Sequence, residues 1–416
     1  DVCSSDLRPL LKRGGRWEEI GWDRALSICA ERIDALRDAP ESMLHVQGSG
    51  ALGVLKAIPR LFFNRLGAAR AGGSLCDAAG YMAYIRDFGS RKNHDLSDLA
   101  HAARIVNWGR DLPKSSIHTA AAVARARKRG TTVLTISPGG DGSSAFSDAH
   151  IRIRPGTDRF LAAAVLKRWL AEAPADPRIL ESSRHGDRFC RQIEAFRRAD
   201  LAAACGASPS DVETLYRWYR AEGPTATIVG TGLQRYRFGG QNVRWINALA
   251  LISGNIGRSG GGSYYHMHAY GHLNLDWAEA DAPRPRRTFT KPTLGRQIEA
   301  ADDPPIRLAW INGINIVNQA PDSQRTARAL KHLPFTVVVD AFMTDTAECA
   351  DLVLPSTLML EQEDVIGSFY HHWIHYVPAV LAPPGEARSD ARIIADLAGR
   401  LSPAVAVPDA EACLER

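Results

Sequence analysis

The chain has no stretch of about 18 consecutive apolar residues, so no segment reads as a bilayer-spanning helix. Cysteine is sparse: seven, at positions 3, 29, 76, 190, 205, 349 and 413, with no Cys-x-x-Cys pair. That odd, scattered set excludes a disulfide framework, and it excludes a zinc ribbon or iron–sulfur cluster held by this chain alone. Aromatics make up 7% of 416 residues and no dense Lys/Arg run stands out. The net charge of +5 therefore suits a site for anionic ligands better than a nucleic-acid surface. Arg125-Ala126-Arg127-Lys128-Arg129 reads as a solvated helix C-terminus, where cations complement the macrodipole. There is no initiator Met, signal peptide or twin-arginine segment; residues 1–7 back-translate into a sequencing-adapter sequence and are read as an assembly artefact. Residues 401–416 look like the truncated start of a further segment, so an internal fragment is expected.

What is present is ordinary for a soluble globular protein, 45% apolar and 23% charged, long enough for two to four folding units. Residues 8–20 predict an edge hairpin around Gly14-Gly15, followed by an amphipathic helix over 24–37 capped by Asp23. Residues 43–47 predict a strand, and Gly48-Ser49-Gly50 turns it into a helix ending near Gly67. From Arg104 the pattern becomes strand (105–108), helix (to Arg129, capped by Ser115/Ser116), strand (132–136) and strand (150–153). The same plan returns about two hundred residues later: strand 308–311, helix 322–332, strand 335–339, strand 352–354. Gly follows the first strand in both copies (Gly109, Gly313), and Pro follows the last (Pro155, Pro355). The reading is an α/β fold with two interleaved domains, each a parallel Rossmann-like βαβ sheet, related as pseudo-repeats. Such sheets bind ligands beyond the carboxyl ends of their strands, so two nucleotide-like sites are expected. Residues 259–305 read as a long loop.

Several residues could carry chemistry. Cys76 lies in Gly72-Gly73-Ser74-Leu75-Cys76-Asp77-Ala78-Ala79-Gly80, where Ser74 and Asp77 form a capping signature that places the thiol in a first helical turn. The partial positive charge there favours thiolate, the form that binds a soft metal. Packing as a small buried hydrophobe is the commoner fate of a lone cysteine, and on these residues alone it leads slightly. Asn107-Trp108-Gly109-Arg110-Asp111 could let a phosphate approach at Gly109 and neutralise it with Arg110, or could be a plain strand-to-helix turn. In Arg154-Pro155-Gly156-Thr157-Asp158, Asp158 could accept from guanine, although Thr157 and Asp158 are natural helix-start residues. Gly230-Thr231-Gly232-Leu233-Gln234 follows a strand but carries Arg235 where a dinucleotide fingerprint needs its third Gly, which argues against a nicotinamide dehydrogenase. Asn312-Gly313 and Asp340 mirror the strand ends of the first copy. His266/His268/His272 and His371/His372/His375 cluster, yet no His-Glu-x-x-His is present and solvated or hydrogen-bonding roles are the safer reading.

Taken together, these segments resemble the molybdopterin oxidoreductase family, the group that includes DMSO reductase, formate dehydrogenase, periplasmic nitrate reductase and thiosulfate reductase. The resemblance runs from about Arg8 to Leu401. It is carried by GGRWEEIGWDRA (14–25), GSLCDAAG (73–80), NWGRDLPKSS (107–116), RPGTD (154–158), GTGLQRYRFGGQNVRWINALALISGNIGRSGGG (230–262), INGINIVNQAPDS (311–323) and DAFMTDTAECADLVLPST (340–357). It implies a molybdenum or tungsten ion held by two molybdopterin guanine dinucleotides, one per pseudo-repeat, with Cys76 as the protein ligand. By the same match Trp108, Gly109, Arg110, Asp111, Ser137, Pro155, Gly156 and Asp158 would line one dinucleotide. Gly232, Leu233, Gln234, Asn312, Gly313, Asn315, Asp340, Thr344 and Asp345 are candidates for the two jointly. The implied chemistry is two-electron oxygen-atom, sulfur or hydride-equivalent transfer on a small-molecule substrate. A [4Fe–4S] cluster is expected in a preceding segment, where an export signal deciding between cytoplasm and periplasm would also lie. A partner iron–sulfur electron-transfer subunit is expected as well, and neither nucleic acid nor a membrane span. Asp77 stands where formate dehydrogenases usually place His after the ligand, which counts against formate. The expected division is 8–75 plus 225–400 as one discontinuous domain and 76–224 as an insert. The rival readings are a non-catalytic relative, like the large peripheral subunit of respiratory complex I, and an NAD-binding α/β module.

Overall fold

A computed structural model describes residues 8–50, 52–90, 93–139, 142–266, 269–278 and 285–415; the reading of residues 1–7 and of His268 lies outside them. The strands are β1 (Leu10–Arg13), β2 (Arg16–Glu19), β3 (Met43–Gln47), β4 (Ala69–Gly72), β5 (Arg104–Trp108), β6 (Thr132–Ser137), β7 (Ala149–Arg152), β8 (Thr225–Val229), β9 (Ser263–Tyr264), β10 (Thr288–Thr290), β11 (Leu308–Asn312), β12 (Phe335–Asp340), β13 (Leu352–Pro355), β14 (Asp364–Ile366) and β15 (His375–Val377). The described residues divide into two compact units: those within 8–75, 269–368 and 373–415 form one, and those within 76–266 with 369–372 form the other.

The first unit is built on an eight-stranded sheet ordered β10-β4-β3-β11-β12-β13-β1-β2, parallel from β10 to β13, with β1 and β2 added as an antiparallel edge hairpin. Its central strands are apolar on both faces, as a sheet covered on both sides requires. Leu308 and Trp310 of β11 enter one core with Val337, Val339, Leu352 and Leu354, while Ala309 and Ile311 enter the other with Val338 and Val353. The period of two along each strand thus feeds two hydrophobic layers.

The second unit repeats the scheme with five strands, β7-β6-β5-β8-β9, all parallel. Val106, Trp108, Leu134, Ile136 and Val229 face one core; Ile105, Val133, Ala226 and Ile228 face the other. The order β7-β6-β5 of three consecutive parallel strands matches β13-β12-β11 of the first unit.

Three expectations need correction. Residues 225–266 belong with the inserted unit, because β8 pairs with β5 and β9 with β8. The stretch 259–305 is not one long loop: it carries β9, β10 and the helix Leu294–Glu299. Cys76 precedes the helix Ala78–Phe88, because Asp77 sits at its N-cap with φ −152° and ψ 0° and makes no side-chain cap bond. The Asp77 carboxylate lies instead 3.0 Å from His266 Nδ1.

Candidate cofactor-binding site

In the first unit the carboxyl ends of β3, β11, β12 and β13 open onto a cavity of about 600 Å³, lined by the turn Gln47-Gly48-Ser49-Gly50, by Asn312, Gly313 and Asn315, by Asp340 and Thr344, and by Ser356. Lys56, Asp364 and Asp390 complete the wall. The two strand-end turns meet so closely that a Cβ on Gly48 would overlap the Gly313 carbonyl. Gly50 and Gly313 both hold positive φ, 48° and 63°, so backbone rather than side chain faces the space between them.

Asn312 is fixed from both sides. Its Oδ1 lies 2.9 Å from Nε2 of the buried His45, and its Nδ2 donates to Asp390 Oδ2 at 2.8 Å. Ser356 Oγ donates to the other Asp390 oxygen at 2.8 Å. Burial, assisted by the cations Arg70, Lys291 and Arg60, pulls the His45 pKa down to about 4, so the ring is neutral at pH 7. Burial also raises the pKa values of Asp340, Asp390 and Asp364, the last to about 6.

Opposite these acceptors stand cations. Lys56 donates to the Ser49 carbonyl, and Lys291 Nζ donates to the Gln47 carbonyl at 2.6 Å. Burial and the charges of Lys291 and Arg60 lower the Lys56 pKa to about 8; burial and Arg70 lower that of Lys291. Among the described residues no carboxylate offsets these shifts, and two half-buried ammonium groups flank one glycine turn. That arrangement suits a polyanion.

Of the residues expected here, Asn312, Gly313, Asn315, Asp340 and Thr344 line the cavity. Asp345 does not: it is exposed and accepts from Asn318 Nδ2 at 3.4 Å. Sequence reading passed over Gln47, Lys56, Lys291, Asp364 and Asp390. Only the glycine turn after β3 signalled its place; the others are brought in by the fold.

In the second unit the expected residues occupy the loops beyond β5, β6, β7 and β8. Gly109 (φ 70°) packs against Leu233, where a Cβ would stand 2.6 Å from Leu233 Cδ2. Gly156 (φ 74°) packs against the Tyr236 ring in the same manner. Ser137 Oγ lies 3.0 Å from His150 Nε2 and accepts from Gly139 N at 3.2 Å. Pro155 and Gly232 are exposed. Trp108, by contrast, is a core residue: it is 0% exposed, and its indole donates to Asp158 Oδ1 at 3.0 Å. Burial pushes Asp158 up to about 6. Arg110 is buried and donates through Nη2 to the Val229 and Tyr265 carbonyls at 2.8 and 3.0 Å and through Nη1 to Ser116 Oγ at 3.2 Å. Its guanidinium also lies 4.7 Å over the Tyr370 ring. Asp111 is the N-cap of the short helix Leu112–Ser115, and its Oδ1 is buried without a hydrogen-bond partner among the described residues.

Cys76 is exposed in the turn ahead of its helix. Gln234 holds that turn, Nε2 donating to the Cys76 carbonyl at 2.8 Å and Oε1 accepting from Ala79 N at 3.0 Å. Gln234, expected to touch a cofactor, thus braces the thiol's backbone. Among the described residues no three His, Cys, Asp or Glu side chains converge as a metal cage. A single accessible cysteine sulfur fits a metal that draws its remaining donors from a cofactor. The histidines follow no common plan: His266 is buried, and His375 opens β15 away from any helix face shared with His371.

The comparisons bear on this geometry. A probable oxidoreductase of Bacillus subtilis, YyaE, is 32% identical over 403 residues, covering 94% of this chain and 60% of its own length. The assimilatory nitrate reductase catalytic subunit of the same organism is 23% identical over 429 residues, covering 95% and 60%. Among solved structures, acetylene hydratase from Pelobacter acetylenicus superposes with a TM-score of 0.77 at 19% identity, covering 95% of this chain and 61% of that one. The chain spans about 60% of the length of the curated relatives it matches. The sequence model of the molybdopterin oxidoreductase family matches residues 7–400, and the chain belongs to that family.

Proposed function

We propose that this chain supplies the cofactor cradle of a molybdenum- or tungsten-dependent oxidoreductase, with the metal held by two molybdopterin guanine dinucleotides and by Cys76. The observation that carries the reading is the cavity of the first unit, where backbone-faced glycine turns, Lys56 and buried hydrogen-bonding side chains surround about 600 Å³, with Lys291 bonded to the wall at the Gln47 carbonyl. Lys56 and Lys291 neutralise pyrophosphate at the Gly48–Gly50 turn. Asn312, Asp340 and Asp364 offer a donor and acceptors to base and ribose. Gly109, Ser137, Gly156, Asp158 and Gly232 would hold the second dinucleotide at the corresponding strand ends, with Asp158 as the acceptor for guanine. Gln234 holds the Cys76 turn so that the thiolate meets the metal in one orientation.

When bound, the cofactor supplies two-electron redox chemistry, as oxygen-atom, sulfur or hydride-equivalent transfer on a small molecule. The chain's own groups bind, orient and electrostatically balance it. A [4Fe–4S] cluster in a preceding segment and an iron–sulfur partner subunit would supply the electron-transfer route.

Elemental analysis and nucleotide release on the intact protein test this. The expected result is stoichiometric molybdenum or tungsten and two guanine nucleotides per chain. Cys76→Ala should abolish turnover with the fold retained. Absence of both metals would favour a non-catalytic relative of the same fold.

A further inference from the structure

Among the described residues His266 is the one buried imidazole beside the Cys76 turn, and the mechanism above does not use it. It is 4% exposed. Its ring is stacked on Tyr265 at 4.7 Å and 22° and on Phe369 at 5.5 Å and 27°, with Tyr370 edge-on at 5.3 Å and 89°. Nδ1 lies 3.0 Å from Asp77 Oδ2, at ion-pair distance though without hydrogen-bond alignment, and Nε2 is buried with no partner among the described residues. Tyr265 reaches the same turn, its hydroxyl donating to the Asp77 carbonyl at 3.2 Å.

An aromatic box of this kind would be filled more favourably by a phenyl ring, because each unpaired ring nitrogen loses its hydration without recompense. The imidazole therefore needs a reason to be there, and its one polar contact is with the residue next to the thiol. We propose that His266 is a positioning residue for Cys76: clamped between Tyr265 and Phe369, it holds the Asp77 carboxylate and through it the direction in which the Cys76 side chain leaves the turn. Its use in the enzyme rests on the reading of Cys76 as metal ligand. The contact itself does not.

The test takes the intact protein from a host that makes no molybdopterin and follows alkylation of Cys76 by iodoacetamide, resolved by peptide mass spectrometry. His266→Phe keeps the stack and loses the contact; His266→Asn keeps a nitrogen near the Nδ1 position and loses the stack. The expected result is a change of about fivefold in the Cys76 rate for His266→Phe, with thermal stability held or raised, and a rate within about twofold of the parent for His266→Asn. A parental rate in His266→Phe overturns the proposal. So does an equal change in both variants, which would assign His266 to packing. The cofactor-loaded protein forms a separate arm: Cys76 labelled as fast with metal as without it would overturn the ligand reading and leave the positioning result standing.

Discussion

Gln234 and the Cys76 backbone form a two-point brace, one amide both donating to the Cys76 carbonyl at 2.8 Å and accepting from Ala79 N at 3.0 Å. Because Gln234 is only 6% exposed, neither bond is readily replaced by water. Gln234→Ala should cost about 2 kcal/mol, since Ala79 N loses its acceptor and the Cys76 carbonyl keeps only the longer bond from Arg235 Nε at 3.4 Å. Gln234→Glu keeps the acceptor for Ala79 and sets a carboxylate against the Cys76 carbonyl. Both variants should retain less metal than the parent, measurable by elemental analysis after gel filtration. Full retention in both would show that the turn holds without the brace.

The two lysines at the Gly48–Gly50 turn predict an affinity that depends on pH and salt. Lys56 has its pKa lowered from 10.5 to about 8, so the folded chain binds this proton more weakly than the unfolded chain. Below about pH 8 the charged form opposes folding, and ligand-free stability should rise as pH climbs from about 8 to 10.5. Lys56→Met should reduce that slope, leaving the part that Lys291 contributes. It should also weaken binding of a guanine dinucleotide or GDP about tenfold, as loss of one partly buried cation from a phosphate site does. Calorimetric titration at pH 7 and 9 checks both signs. An unchanged affinity would remove Lys56 from the anion site.

Asp364 gives the opposite slope. Burial raises its pKa from 3.8 to about 6, against bonds from Leu55 N and Val365 N that favour the anion. The native chain then holds the proton more tightly than the unfolded one, so stability should fall between about pH 4 and 6 and the cost should persist above that range. Asp364→Asn keeps an acceptor for the backbone amides. It should gain about 2 kcal/mol at pH 7 and nothing near pH 4. Asp340 and Asp390, raised in the same direction, will leave a residual slope in denaturation curves.

Much of this architecture is legible in the chain itself. Runs such as Phe335-Thr336-Val337-Val338-Val339 and Thr132-Val133-Leu134-Thr135-Ile136 state that both faces of a strand are covered, and their recurrence announces two parallel sheets. Asn312, Gly313 and Asp340 were readable because a strand end is also where a parallel sheet binds ligands. Lys291 and Asp390 were not, because no local pattern ties them to β3; β10 carries the lysine to the sheet edge, and the helix Asp390–Ala398 presents the aspartate. Trp108 misled for a related reason. Its place at the end of β5 is correct, but the period of two turns it inward, toward Leu134 and Val229. The brace from Gln234 to Cys76 joins positions 158 apart, and no spacing rule reports such a pairing.

The turns at Gly48 and Gly50 allow a contrast that separates steric crowding from backbone strain. At Gly48 an added Cβ would overlap the Gly313 carbonyl and stand 2.6 Å from Ile314 Cβ. At Gly50 the nearest atom would be 3.8 Å away, and only the φ of +48° opposes a side chain. Gly50→Ala should therefore cost about 1 kcal/mol, the penalty of a left-handed residue. Gly48→Ala should cost about 3 kcal/mol, because backbone must move and the bond from Gly48 N to Asn312 O, 3.1 Å long, lies in the path. Spreading β3 from β11 also moves Asn312 off His45 and Asp390, so Gly48→Ala should lose GDP binding in the first unit while Gly50→Ala keeps most of it. Urea denaturation and calorimetric titration of both variants measure the two quantities independently. Equal losses of affinity would show that the cavity recognises its ligand without the close approach of the two turns.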